Sequence, residues 1–327
     1  METLQDRELC FPQFLNASCR RPKHPRSETV LMFTLLSFIS FLTVTLNLLV
    51  IISISHFRKL HTPTNLLLLS LATSDFFVGF LLFFQTFNMY SCWFLGDVLC
   101  VLYYLLIYVI ASACIGNMVL ISVNRYVAIC QPLHYSSQIT VGRVTTCTCL
   151  CWLCSVLYNS ILMKDNFRQP GRFRSCSGEC VVVVSHSAGV VDIIISFIGP
   201  VSVIMVLYLR VFVVAVSQAR VMRSQVAAQQ SSVKVTVKKS ELKAARTLGV
   251  VVVVFLLCLC PYFCVTLSGQ DTLIDASSAA FVICLFYFNS CLNPLIYAFF
   301  YPWFRKSVRL IVTLQILKPG SCDTNIQ

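Results

Sequence analysis

Seven long stretches of predominantly apolar residues constrain this chain more than any other feature: 30–55, 64–88, 98–129, 144–163, 188–215, 245–268 and 276–300. Each approaches the roughly 20 residues that a helix needs to cross the hydrocarbon core of a bilayer. With 57% apolar and 12% charged residues and a mean hydropathy of +0.79, the charges are confined to the gaps between these stretches. The expected fold is therefore an all-α membrane protein, a bundle of seven transmembrane helices over 30–300 with residues 1–29 before it. In 301–327, Phe304, Val308, Ile311 and Val312 alternate with Arg305, Lys306 and Arg309, the pattern of a short amphipathic helix lying on the membrane, followed by a tail. No two stretches read as an internal repeat.

Charge orients the bundle. With the N-terminus outside, 16 of the 25 Lys and Arg fall on the cytoplasmic side, where Glu241 and Asp323 are the acids, and the outer side is neutral. That is the positive-inside arrangement, so the net charge of +12 points to membrane lipid rather than nucleic acid as the partner of the basic loops. The first 29 residues are polar and mix acids with bases, so the first apolar stretch is expected to serve as its own insertion signal. Asn16-Ala17-Ser18 is a glycosylation sequon in that outer segment. Of the 18 cysteines, Cys10, Cys19, Cys92, Cys100, Cys176 and Cys180 would face the oxidising side, an even set that suggests disulfides. The others read mostly as small apolar fillers, with Cys322 a candidate for palmitoylation.

The seventh stretch carries polar residues at fixed places: Asn289-Ser290-x-x-Asn293-Pro294-x-x-Tyr297-x-x-x-Tyr301-x-Trp303-Phe304. Pro294 frees a carbonyl one turn back, which must find another partner inside a bilayer, so the segment reads as a kinked hinge lining an internal polar seam. Asn293-Pro294-x-x-Tyr297 resembles the seventh-helix signature of rhodopsin-like G-protein-coupled receptors, and the longer pattern resembles the fingerprint of trace amine-associated receptors. The resemblance covers all seven stretches.

That resemblance implies roles for other residues. Cys100 and Cys180 resemble the common bridge of the superfamily, while Cys10, Cys19, Cys92 and Cys176 resemble the extra cysteines of the trace amine group and would tie down the N-terminus, with their pairing open. Asn47 and Asp75 match the buried polar pair of the first two helices. Asp75, Asn289, Ser290 and Asn293 would form an allosteric sodium pocket, although Cys114 stands where a serine commonly contributes; the alternative is a protonated or water-paired Asp75. No other cofactor is expected. Trp152 matches the fourth-helix tryptophan and reads as packing. Asn124-Arg125-Tyr126 stands where the superfamily has Asp-Arg-Tyr, so Glu241 becomes the expected inactive-state partner of Arg125, and the missing carboxylate implies raised basal signalling. Ile115, Pro200 and Phe255 fit the connector between ligand and G protein, Tyr208 its fifth-helix tyrosine. Leu259 departs from the family, which has a tryptophan there.

In most amine-binding relatives an aspartate seven residues after the third-helix cysteine anchors the ammonium, but this chain has Ile107. Asp192, eight residues and about 12 Å of helix before Pro200, resembles the fifth-helix aspartate of a fish-expanded branch that lost the other one. A carboxylate there is costly to bury alone, and a primary ammonium would neutralise it. Tyr108, Tyr262, Phe263 and Tyr287 would add cation–π contacts. The competing reading pairs Asp192 with Arg172 or Arg174. A second ammonium would need Glu179, Asp271 or Asp275 at the rim, which favours monoamines.

Other function classes fit less well. A transporter would show repeats, and a retinal pigment needs a lysine in the seventh helix, whereas none occurs between Lys243 and Lys306. No phosphate loop, metal cluster or activated nucleophile is evident, and His186 reads as a loop residue, so no enzyme is expected. The resemblance implies an olfactory amine receptor of ciliary plasma membrane that raises cAMP through a stimulatory heterotrimeric G protein. A non-amine ligand or ligand-independent activity is the alternative.

Overall fold

The computed structural model describes residues 9–13, 17–19, 26–90, 92–227, 250, 253–265 and 276–324. Asn16, Glu241, Asp271 and Asp275 lie outside the described residues. The apolar stretches appear as α1 (Arg26–His56), α2 (Pro63–Tyr90), α3 (Asp97–Cys130), α4 (Val141–Leu162), α5 (186–227), the described part of α6 (Val253–Val265) and α7 (Ala276–Phe300), followed by α8 (Pro302–Val312). Six of them, α1 to α5 and α7, are long and apolar enough to cross a membrane, and α6 is shorter within its described residues. Among the described residues there are no strands, and the fold is a seven-helix membrane bundle.

The bundle inverts the pattern of a water-soluble core. Leu153, Leu157 and Ile161 of α4 and Leu209, Phe212 and Val213 of α5 stay exposed, while Asn47, Asp75, Asn117, Asn289 and Asn293 are buried. Lipid tails are as apolar as leucine, so helices associate here through close packing and interhelical hydrogen bonds. Gly79 shows the first of these: a Cβ added there would lie 2.9 Å from Thr43, and its carbonyl accepts from Ser40 at 2.7 Å, which draws α1 and α2 together. Trp152, read from sequence as packing alone, also donates its indole N–H to Ser70 at 3.0 Å, and Ser70 donates to Asn117 at 2.8 Å. One chain of polar contacts thus joins α4, α2 and α3.

Pro294 sits inside α7 as expected. Tyr301 is extended and Pro302 opens α8, which buries Trp303, Phe304 and Ser307 against the bundle and leaves Arg305 and Lys306 exposed. Beyond α8 the tail folds back toward the end of α1, where His56 meets Ser321 at 2.9 Å and Arg58 pairs with Asp323 at 3.5 Å. In α5, the segments His186–Ile193 and Gly199–Ala227 are α-helical, and Ile194–Ile198 between them is a π-helical turn. His186, read as a loop residue, is the first residue of that helix.

Candidate functional site

The opposite end of the bundle from α8 is capped by three disulfides. Cys100 at the start of α3 joins Cys180, Cys10 joins Cys92, and Cys19 joins Cys176. The last two pairings, open in the sequence, tie the N-terminal segment to the loop between α2 and α3 through Cys92 and to the loop between α4 and α5 through Cys176. Cys19 N–H donates to Ser177 and Ser177 N–H donates to Ala17, at 2.9 and 2.6 Å, while Trp93 N–H donates to Gly178 at 2.9 Å. In the same loop Arg174 reaches both carboxylate oxygens of Asp97, at 3.0 and 2.9 Å. Arg172 lies against the Phe173 ring.

Below this cap a cavity of about 270 Å³ opens between α2, α3, α5, α6 and α7. It brings together every residue that the sequence singled out for ligand contact: Asp192, Ile107, Tyr108, Tyr262, Phe263 and Tyr287 all line it, as does Ile115. Asp192 is the charged residue among the described lining residues. Its Oδ1 accepts from Ser196 at 2.8 Å and from Tyr158 at 3.1 Å, so one carboxylate oxygen is fixed by α5 and α4. The loop arginines are engaged elsewhere, on Asp97 and on Phe173, which removes the support for pairing either with Asp192. Ser196 stands four residues after Asp192, a helical spacing legible in the sequence. Tyr158 comes from another helix and carried no such signal, and neither did Gln85 or Tyr104 on the far wall.

Deeper in the bundle, Asp75 Oδ2 accepts from Asn293 at 2.8 Å, and the Cys114 thiol lies 3.7 Å from Oδ1. Asn47 donates at 2.9 Å to the carbonyl of Ser290, four residues before Pro294. Among the described residues Asn289 Oδ1, Asn293 Oδ1 and Tyr297 Oη are buried without a hydrogen-bond partner. A carboxylate with orphaned amide oxygens is an oxygen-rich donor set of the kind hard cations take, so Asp75, Asn289, Ser290 and Asn293 fit a sodium ion, and the Cys114 thiol adds little.

Phe255 is fully buried in the same core cluster as Ile115, Phe197, Leu259 and Tyr297, which joins the floor of the cavity to α7. Pro200 follows the π turn of α5, and Tyr208 packs on this cluster. At the α8 end, Asn124 is buried and closes a triangle. Its amide donates to Thr64 at 3.1 Å, its oxygen accepts from Tyr135 at 3.2 Å, and the two hydroxyls are 3.3 Å apart. The next residue, Arg125, lies near enough to Tyr208 and Tyr301 to act on both electrostatically, and its Nε has no hydrogen-bond partner among the described residues. Tyr126 packs beside Ile129 and Val211 instead.

A ligand-sized cavity under a disulfide cap, joined by one buried cluster to an arginine at the other end, is the layout of a receptor. Residues 46–297 match the family model described as 7 transmembrane receptor (rhodopsin family). Over 98% of its length the chain is 36% identical to Trace amine-associated receptor 8a of Rattus norvegicus, covering 96% of that protein. It is equally 36% identical to Trace amine-associated receptor 7a of Mus musculus, covering 92% of it. The chain therefore belongs to the rhodopsin family of seven-transmembrane receptors, within its trace amine-associated group.

Proposed function

We propose that this receptor senses amines, with the ligand's ammonium held by Asp192, and that it signals through a stimulatory heterotrimeric G protein to raise cAMP. The observation that carries this reading is the placement of Asp192 in the wall of the cavity, with Oδ1 held by Tyr158 and Ser196 and no arginine beside it among the described residues. A carboxylate so placed lacks a counter-ion, and an ammonium supplies one in a site of low dielectric. Tyr108, Tyr262, Phe263 and Tyr287 line the same space and offer ring faces worth about 0.5 to 2 kcal/mol each to a cation. The amine then lies with its head toward α5, since Ile107 offers α3 no charge.

In this reading the capped end faces outside, and the membrane is the ciliary plasma membrane of olfactory sensory neurons. Asp75, Asn289, Ser290 and Asn293 hold a sodium ion that favours the resting state. Arg125 is the group released toward the G protein when α6 moves, and Glu241 its resting partner.

The test is a cAMP assay on cells displaying the receptor, challenged with an amine panel. Asp192→Ala should abolish responses at normal surface display, Asp192→Glu should retain part of them, and Ile107→Asp should widen them toward two-headed amines. An Asp192→Ala receptor that answers the same amine at unchanged potency would remove the assignment.

A further inference from the structure

A second, smaller cavity of about 50 Å³ lies deeper than the first, on the side toward Asp75. Ile107, Ala111 and Ile115 border both spaces, so they form one continuous wall. The inner cavity is bounded by Val78, Leu81, Ile110 and Leu259, with the polar groups of Asn289 and Ser290 at its margin. It is thus almost wholly apolar, and water entering it would find few hydrogen-bond partners. Leu259 is buried and lines this cavity, so a larger side chain at that position should take up part of the space.

We propose that this inner cavity receives the hydrocarbon tail of the amine whose ammonium sits at Asp192, so that tail length, not a second charge, selects the ligand. The inference rests on the reading of Asp192 as the anchor. Among the described residues no acid other than Asp192 lines either space, so a second ammonium in the inner cavity would lie unpaired against leucine and isoleucine, a costly arrangement. An alkyl chain there meets mostly apolar side chains. It also touches Ile115, which packs in one cluster with Phe197, Phe255 and Leu259. The tail therefore bears on the buried layer that leads toward α7, and chain length should govern response strength as well as affinity.

The experiment uses the purified full-length receptor and unbranched primary amines from propylamine to octylamine, each compared with the diamine of equal length. Affinity is read from ligand-induced thermal shifts. Affinity should rise about fourfold per added methylene, the equivalent of burying one such group, until the inner cavity is full, and then stop rising. Leu259→Trp should move this break to shorter chains and Leu259→Ala to longer ones. Should Leu259→Trp fail to fold, Val78→Leu narrows the cavity from its other wall and should move the break the same way. An identical break in wild type and variants, or diamines that outbind their matched monoamines, would overturn the proposal. Binding that is lost in Asp192→Ala but shows no shift in the break would overturn only the tail site. Absence of binding across the series would overturn the anchor as well.

Discussion

Asn47 donates its side-chain amide to the carbonyl of Ser290 at 2.9 Å, and that carbonyl is the one that Pro294 leaves without its helical N–H. A kink in α7 and a lone asparagine in α1 are therefore two halves of one interaction. Removing the donor strands a buried acceptor, at a cost of about 1 to 3 kcal/mol. Asn47→Leu should lower the melting temperature of the purified receptor. In a Pro294→Ala background the helix regains its own N–H, so the same substitution should cost much less. Additive losses in the double variant would show that the two residues act separately.

The triangle of Asn124, Thr64 and Tyr135 fastens the end of α3 without a carboxylate. Asn124→Asp keeps the Tyr135 donor, turns the Thr64 hydroxyl from acceptor to donor, and adds a negative charge next to Arg125 in sequence, so basal cAMP should fall. Tyr135→Phe removes the contacts of its hydroxyl with both Asn124 and Thr64, each worth about 1 kcal/mol or about a fivefold change in the resting-to-active ratio, so basal cAMP should rise. Equal basal cAMP in all three receptors would count against a restraining role for the triangle.

The cap makes a statement about pairs. Because Cys10 is bonded to Cys92 and Cys19 to Cys176, Cys10→Ser, Cys92→Ser and the double variant should lose the same fraction of surface display. Combining Cys10→Ser with Cys19→Ser should lose more, since a disulfide closing a long loop is worth about 2 to 4 kcal/mol. Flow cytometry on intact cells measures this directly.

Tyr158→Phe tests how Asp192 is held. It deletes the hydroxyl 3.1 Å from Oδ1 while keeping the ring, and Ser196 remains as a donor. Amine potency should drop about fivefold, the equivalent of one neutral hydrogen bond, with surface display unchanged. A drop as large as that of Asp192→Ala would mean that the tyrosine contacts the ligand itself.

Much of this was readable in the sequence because lipid imposes one rule per residue. A polar side chain in an apolar helix must face inward, so Asn47, Asp75, Asn289 and Asn293 were legible as a buried seam, and Pro294 announced an orphaned carbonyl. Asp192 with its surrounding rings was legible for the same reason, and the cavity lined by Ile107, Tyr108, Tyr262, Phe263 and Tyr287 gathers them. Contacts between distant parts of the chain left no such trace. Nothing in the spacing told Cys10 from Cys19 as the mate of Cys92, joined Tyr158 of α4 to Asp192 of α5, or showed that Arg174 would be taken by Asp97. Trp152 read as packing because an indole N–H reveals its acceptor only when Ser70 is placed beside it.

The π turn at Ile194–Ile198 separates Asp192 from Pro200. Such a turn holds one residue more than an α-helical one, so everything before it is rotated by about 100° from where an unbroken helix would put it. The turn acts as a phase shifter that sets the compass bearing of the carboxylate, and Pro200, which has no N–H for the Ser196 carbonyl four residues back, borders it. Deleting a single residue from 194–198 would rewind α5 into a regular helix and swing Asp192 off the cavity with no change in side-chain chemistry. Two receptors with the same fifth-helix residues but one residue's difference in that turn would then differ in ligand as completely as if the aspartate itself had been lost.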